Sequence, residues 1–223
     1  MVARYTRGVR HDDIPGRILY PLKQSVVDTT GCGVLGSTTR FAVLLRDYVD
    51  SWKSSADATI WGTQLKASVP FAAMANYAAS HARAFDDTIM PAVLHLGSVA
   101  VPTAIAIAER ARGAVSGKAL LTAIAAGYED GNIVGTALGS KTFASGGFYN
   151  SVPTIFVAAA TAAKLMNLSE EQTVRALGIA ATQSAGLYSA TLTKRINAPK
   201  AVVGGIFAAD LARKGLEAPE DGL

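Results

Sequence analysis

Four stretches of this chain, residues 70–82, 100–112, 117–138 and 151–165, carry almost no polar surface. Each is rich in Ala with Val, Leu and Ile, and each is long enough for three or more helical turns. A helix that is apolar on nearly every side has to be enclosed by other helices. These segments therefore belong in the middle of a bundle, where small side chains let backbones approach closely. The longest apolar runs, such as residues 99–108, are interrupted or too short for a membrane span. With 223 residues, half of them hydrophobic, one sizeable core is expected over residues 1–223.

The flanking segments read as further helices. Asp12 or Asp13 is placed to cap a helix with Pro15 in its first turn. Ile18, Leu19, Leu22, Val26 and Val27 follow at helical spacing, with fraying expected at 29–33 and an end at Gly36. A second helix over 40–52 puts Phe41, Leu44, Leu45 and Tyr48 on one face. Residues 57–61 suit a short extended piece. Ser169 to Gln172 form a capping box that starts a helix running to about Gly186. The last helix is read over 199–214, closed by Gly215. The expected class is all-α, a bundle-like domain of eight or so helices.

Charge excludes more than it suggests. The net charge is +4, and the local excess is Arg4, Arg7 and Arg10. No Lys/Arg stripe is present and aromatics make up 7% of the chain, so a nucleic-acid partner is not expected. A basic balance suits polycarboxylate substrates by raising their local concentration, and ordinary solubility charge explains it equally well. Cys32 is the sole cysteine, which rules out an internal disulfide and a cysteine metal cluster. The N-terminus has no apolar segment of the secretory kind, so a cytoplasmic, non-membrane protein is expected.

Three long non-helical stretches, 86–97, 139–150 and 188–198, carry the polar residues, and loops of that length in a helical domain are often functional. The first places His81, Asp86, Asp87 and His95 within fifteen residues. Paired carboxylates beside imidazoles suit acid–base work or a metal. The same residues also serve as helix caps around a packed histidine. The third holds Thr191, Thr193, Lys194, Arg195 and Asn197. Two cations beside hydroxyls make a carboxylate clamp, or a solvated basic turn.

Several motifs recur in order along nearly the whole chain. They are Asp13-Ile14-Pro15, Val27 to Cys32, and His81 to Thr88 around Phe85-Asp86-Asp87-Thr88. Val101-Pro102, Ala126-Gly127-Tyr128-Glu129, Met166 to Gln172, Leu177 to Ala180 and Thr193-Lys194-Arg195 complete the series. In that order and spacing the chain resembles the N-terminal helical portion of the MmgE/PrpD family, which includes 2-methylcitrate dehydratase and cis-aconitate decarboxylase. The resemblance implies a large helical domain that dimerises, a smaller α/β lid, and an active site in the cleft between them, without metal or organic cofactor. The lid is expected to be absent here.

Carried over by motif, His95 matches the family's loop histidine, followed by Leu96 where proline is usual. Thr88 and Lys194 match positions that line the substrate pocket. Ala84 stands where the family carries an aspartate. Phe148 or Tyr149 replaces a histidine of the second loop, and Asn197 stands where another histidine often follows Thr-Lys. Each lost acid–base group typically costs about 10²–10⁴-fold in rate.

The site is accordingly expected where loops 86–98, 139–150 and 188–197 converge. His95, Lys194 and Tyr149 are the expected catalytic residues; Thr88, Arg195, Asp87 and Asn197 are expected to bind substrate. Phe148 makes the pocket more apolar, which favours a substrate less charged than a tricarboxylate. The implied function is a lyase-like or isomerase-like reaction on a small carboxylic acid, in a homodimer. The alternatives are a non-catalytic or half-enzyme subunit that needs a lid-bearing partner, and a remnant that merely folds.

Overall fold

A computed structural model describes residues 2–90, 92–145, 151–186 and 194–219, with the backbone alone at 140–145 and 194. Among these residues nine α-helices follow one another. They are α1 (Val2–Gly8), α2 (Gly16–Gly36), α3 (Arg40–Ser51), α4 (Val69–His81) and α5 (Leu96–Arg110), then α6 (Gly117–Ser145), α7 (Ser151–Leu165), α8 (Glu170–Thr182) and α9 (Lys194–Arg213). The only sheet among them is a ribbon in which β1 (Ala58–Thr59) pairs antiparallel with β2 (Lys66–Ala67). The side chain of Asn76 on α4 pins this ribbon, accepting from Trp61 N at 2.8 Å and donating to Thr59 O at 2.9 Å. The all-α class expected from periodicity is the one observed. Among the described residues no helix is long and apolar enough to cross a membrane.

The near-featureless helices occupy the centre. Every residue of α7 from Pro153 to Ala163 is buried, and the helix is enclosed by α5, α6, α8 and α9. Helix α4 is buried in the same way from Ala72 to Ser80, between α2, α3, α5 and α9. Missing side chains set the spacing. A Cβ on Gly205 of α9 would lie 2.5 Å from Ile155 O, and one on Gly127 of α6 would run into Thr161 Oγ1. At these contacts backbone packs on backbone, which larger residues would forbid.

Local signals set several ends. Ser169 Oγ accepts from Gln172 N and Gln172 Oε1 accepts from Ser169 N, the expected capping box. Thr39 caps α3, and Gly215, at φ 94°, follows the end of α9. Other boundaries depart from the sequence reading. Helix α2 shows no fraying through 29–33, because Thr29, Cys32 and Gly33 are buried on its inner face. Asp12 and Asp13 do not cap it. They lie in a 3₁₀ turn where Asp13 accepts from the backbone and guanidinium of Arg10, and Pro15 takes the N-cap position.

Helix α3 buries Ala42, Leu45 and Val49, leaving Leu44 60% and Tyr48 53% exposed. The smaller Ala42 stripe allows closer approach to α4 than the bulkier one would. Helix α8 stops at Thr182. Helix α9 starts at Lys194, because Pro199 near its N-terminus forfeits one bond, to the Arg195 carbonyl, and does not break the helix. Helix α6 kinks at Gly139 (φ 70°, ψ 154°), and the backbone is helical again up to residue 145, within the stretch expected to be a loop.

The basic N-terminal stretch forms α1, which packs on α6, α7 and α8. Lys164 Nζ donates to Arg7 O at 2.8 Å. Thr6 is buried, with Oγ1 donating to Val2 O and lying 2.8 Å from Oδ2 of the fully buried Asp130. Burial, helped by the negative charge of Glu129 and opposed by the Thr6 bond, pushes the Asp130 carboxyl up to about 8. A neutral Asp130 can donate to Thr6 Oγ1 while Thr6 donates to Val2 O, so one proton completes the chain of bonds under α1.

Two outcomes follow from this packing. Gly205→Ala should lower stability by about 1–3 kcal/mol through overpacking of α9 on α7. Gly31→Ala, with open space at its Cβ, should raise it by up to about 1 kcal/mol. Thermal melts of the two variants check the pair. For Asp130, the folded state keeps a proton that the unfolded chain releases near pH 4, so this group's stabilisation is lost as pH rises from about 4 to 8. Urea midpoints over that range should fall less steeply in Asp130→Asn than in the parent.

Candidate active site

The first loop folds back on the ends of two helices. His81 is the last residue of α4, His95 is the N-cap of α5, and Asp86 and Asp87 lie between them. A short antiparallel bridge, Ile89 with Leu94, closes the intervening turn. Ala84 at φ 53° and Val93 at φ 51° adopt left-handed backbone conformations that cost energy for residues with a Cβ. Aspartate tolerates that region better than alanine does, so Ala84 is the less comfortable occupant of its position.

The two carboxylates face different partners. The Asp86 side chain is wholly buried. Its Oδ2 accepts from Ser98 Oγ at 2.6 Å and lies 3.0 Å from His81 Nδ1 and 3.3 Å from His95 Nδ1. Burial opposes its charge, but the hydrogen bonds and positive charge of the two imidazoles outweigh it and hold the carboxyl well below the usual range. Asp87 accepts from Gly97 N at 2.9 Å, in the first turn of α5, and from the Tyr128 hydroxyl on α6. Burial outweighs these two bonds and raises the Asp87 carboxyl. The hydroxyls of Tyr128 and of Ser25 on α2 are also hydrogen-bonded, so α2, α5 and α6 meet at one carboxylate.

His95 sits over this network. Its Nδ1 is 3.1 Å from Asp87 O and 3.3 Å from Thr88 Oγ1, and 21% of its side chain stays exposed. Burial works against its protonation, and the bond to Asp86 more than compensates, so its pKa is raised. The His81 and His95 rings lie 4.3 Å apart. His81, Asp86 and His95 offer atoms within 4.8 Å of one another, a spacing that a divalent cation could use. Each Nδ1 is already directed at protein oxygens, so in this arrangement the three side chains form a hydrogen-bonded cluster.

The structure thus joins His95, Thr88 and Asp87 directly. Arg195 is exposed and lines a shallow crevice beside His81, with Phe41 and Tyr77. Asn197 lines another crevice with Gln183, Ser184 and Lys200, which shares no residue with the first. Tyr149 and Phe148 lie outside the described residues, as does the side chain of Lys194, and so does the expected convergence of the three loops. Sequence reasoning missed Ser98, Tyr128 and Ser25. Tyr128 stood within a quoted motif, but nothing local signalled its reach to Asp87. Tyr128 also lines a cleft of about 580 Å³, with Val9, Ile14, Leu22, Ile89 and Leu96.

The model of the MmgE/PrpD N-terminal domain matches residues 1–223. The chain belongs to the MmgE/PrpD family. A cis-aconitate decarboxylase-like protein of Aspergillus oryzae is 31% identical over 218 residues, 93% of this chain and 45% of that protein. The human cis-aconitate decarboxylase is 32% identical over 94% of this chain and 45% of its own length. An Aspergillus terreus cis-aconitate decarboxylase is 28% identical over 97% of this chain and 46% of its own. The chain therefore spans less than half the length of these relatives.

Proposed function

We propose that this chain is the helical half of an acid–base lyase acting on a small carboxylic acid, with His95 exchanging the proton. The observation that carries this reading is the seat of His95. It is anchored on Asp86, Asp87 and Thr88 at the start of α5, with part of its ring reaching solvent. An imidazole titrates near neutrality and so can take and return a proton at working pH. Relatives named cis-aconitate decarboxylases support a carboxylic acid as substrate. Lys194, at the start of α9, would anchor a substrate carboxylate, with Thr88 donating a hydrogen bond and Tyr149 serving as a polar contact. Arg195 and Asn197, which follow Lys194 on α9, would add substrate contacts.

A second reading is that of a half-enzyme completed by a lid-bearing partner. A lid excludes water and strengthens charge interactions in the cleft. Self-association is part of the proposal in either case. Val27, Val34 and Leu35 on α2 and Leu44 and Trp52 on α3 are each more than half exposed, and a groove runs along α2 between Val26 and Leu35.

Turnover of cis-aconitate should be measured for the chain alone and mixed with the C-terminal half of a full-length relative. His95→Ala should lower it by about 10²-fold or more, and Lys194→Ala should abolish it, with the helical signal unchanged. Wild-type turnover in both variants sinks the assignment, and activity that appears only on mixing selects the half-enzyme. Light scattering at micromolar concentration should give twice the chain mass; a monodisperse monomer refutes the dimer.

A further inference from the structure

Resting on the reading of His95 as the proton-exchanging group, we infer that Asp86 is its positioning residue. The buried carboxylate fixes the ring proton of His95 on Nδ1 and leaves Nε2 as the basic atom, with His81 bracing the carboxylate from the other side. The evidence is what surrounds Nδ1. Asp86 Oδ2 at 3.3 Å is a carboxylate oxygen, and Asp87 O at 3.1 Å is a carbonyl; neither can donate to a carboxylate-facing lone pair. Thr88 Oγ1 at 3.3 Å is free to orient its own proton elsewhere. A lone pair on Nδ1 would face two acceptors in a largely buried setting, an unfavourable arrangement that a proton on Nδ1 removes. With that proton in place, the ring donates to Asp87 O and faces the Asp86 carboxylate.

Nothing among the described residues bonds Nε2 of His95. Nδ1 is enclosed by three oxygens, which leaves Nε2 as the ring nitrogen free to meet a bound acid. Proton exchange with a bound acid therefore occurs at Nε2. When Nε2 takes a proton, the imidazolium forms against the buried carboxylate and keeps the same Nδ1 bond, so the ring does not have to turn between the two protonation states.

His81 has a distinct part. Its Nδ1 is 3.2 Å from Asp86 Oδ1 and 3.0 Å from Oδ2, so it too is a donor. Ser98 Oγ at 2.6 Å supplies another. These donors, from α4 and α5, hold the carboxylate against His95 Nδ1, 3.3 Å away at the α5 N-cap. Two imidazoles on one oxygen also divide its accepting capacity. Removing His81 leaves more of that capacity to His95, and weakening Asp86 takes it away. A purely structural carboxylate would not transmit these opposite changes to the His95 ring.

Nitrogen-15 and proton NMR of histidine-labelled protein reads the tautomer directly, at a pH where the ring is neutral. The parent should show His95 protonated on Nδ1, with that proton far downfield and slow to exchange. Asp86→Asn keeps the volume but offers a weaker acceptor, and should move the resonance upfield. His81→Phe should move it further downfield. In both variants the Nε2 signature should persist in the helically folded protein. Turnover of cis-aconitate should fall by about 10²-fold or more in Asp86→Asn. Finding His95 protonated on Nε2 in the parent overturns the inference whatever the variants do. So does a His95 resonance unmoved in both variants. Loss of turnover in His95→Ala is a separate measurement, so failure of the catalytic reading and failure of the positioning reading are told apart.

Discussion

One buried carboxylate oxygen, Oδ2 of Asp86, holds together the parts that must stay in register for this fold to present a site. It accepts from Ser98 on α5 and lies against the Nδ1 atoms of His81, which ends α4, and His95. Asp87 continues the connection to Gly97 N and, through Tyr128 and Ser25, to α6 and α2. A charge without water is tolerated only when its oxygens are fully engaged. The partners of Asp86 are thus constrained as tightly as the carboxylate itself. The left-handed backbone at Ala84 and Val93 persists in the same loop, held at both ends by these bonds.

The enclosing bundle follows a different rule, exclusion of side-chain bulk. Helices α4 and α7 have no polar face to offer water, so they can only be central, and this was legible from composition and spacing alone. The bounds of α7 and the start of α8 were legible for the same reason, since Ser169 and Gln172 carry their signal locally. Less legible was anything decided by a neighbour. The inward face of α3 turns on Ala42, whose small size matters only once α4 is present. The start of α9 was obscured by Pro199, a strong local signal that costs the helix just one bond. Helix α1 has no amphipathic stripe to announce it, and its order depends on α6, α7 and α8.

The candidate site divides along similar lines. His95, Thr88 and Asp87 were legible as a group because they share one loop with a family pattern, and they lie together. The carboxylate pair was open to two readings, cap or acid–base group. Asp87 does bond the first turn of α5, while Asp86 serves the imidazoles. Ser98 and Tyr128 escaped notice because their partners lie 12 and 41 residues away, and no periodicity encodes a bond of that kind. The metal-like spacing of His81, Asp86 and His95 shows the limit of spacing itself. Proximity of three such residues does not say whether protons or lone pairs face inward, and here the surrounding oxygens decide it.

The placement of α1 bears on the order in which the chain can become native. The groups that hold α1, Asp130, Lys164 and Glu170, lie more than 120 residues further along the chain. Closing so long a loop is slow relative to local helix formation, and the reward comes only when α6, α7 and α8 are already assembled. Helix α1 is thus among the last elements to dock. Until it does, the buried acid beneath it is open to water and ionised, and docking requires that a proton be taken up. Docking of α1 is in this sense also a protonation step, and its rate should carry the imprint of solvent acidity.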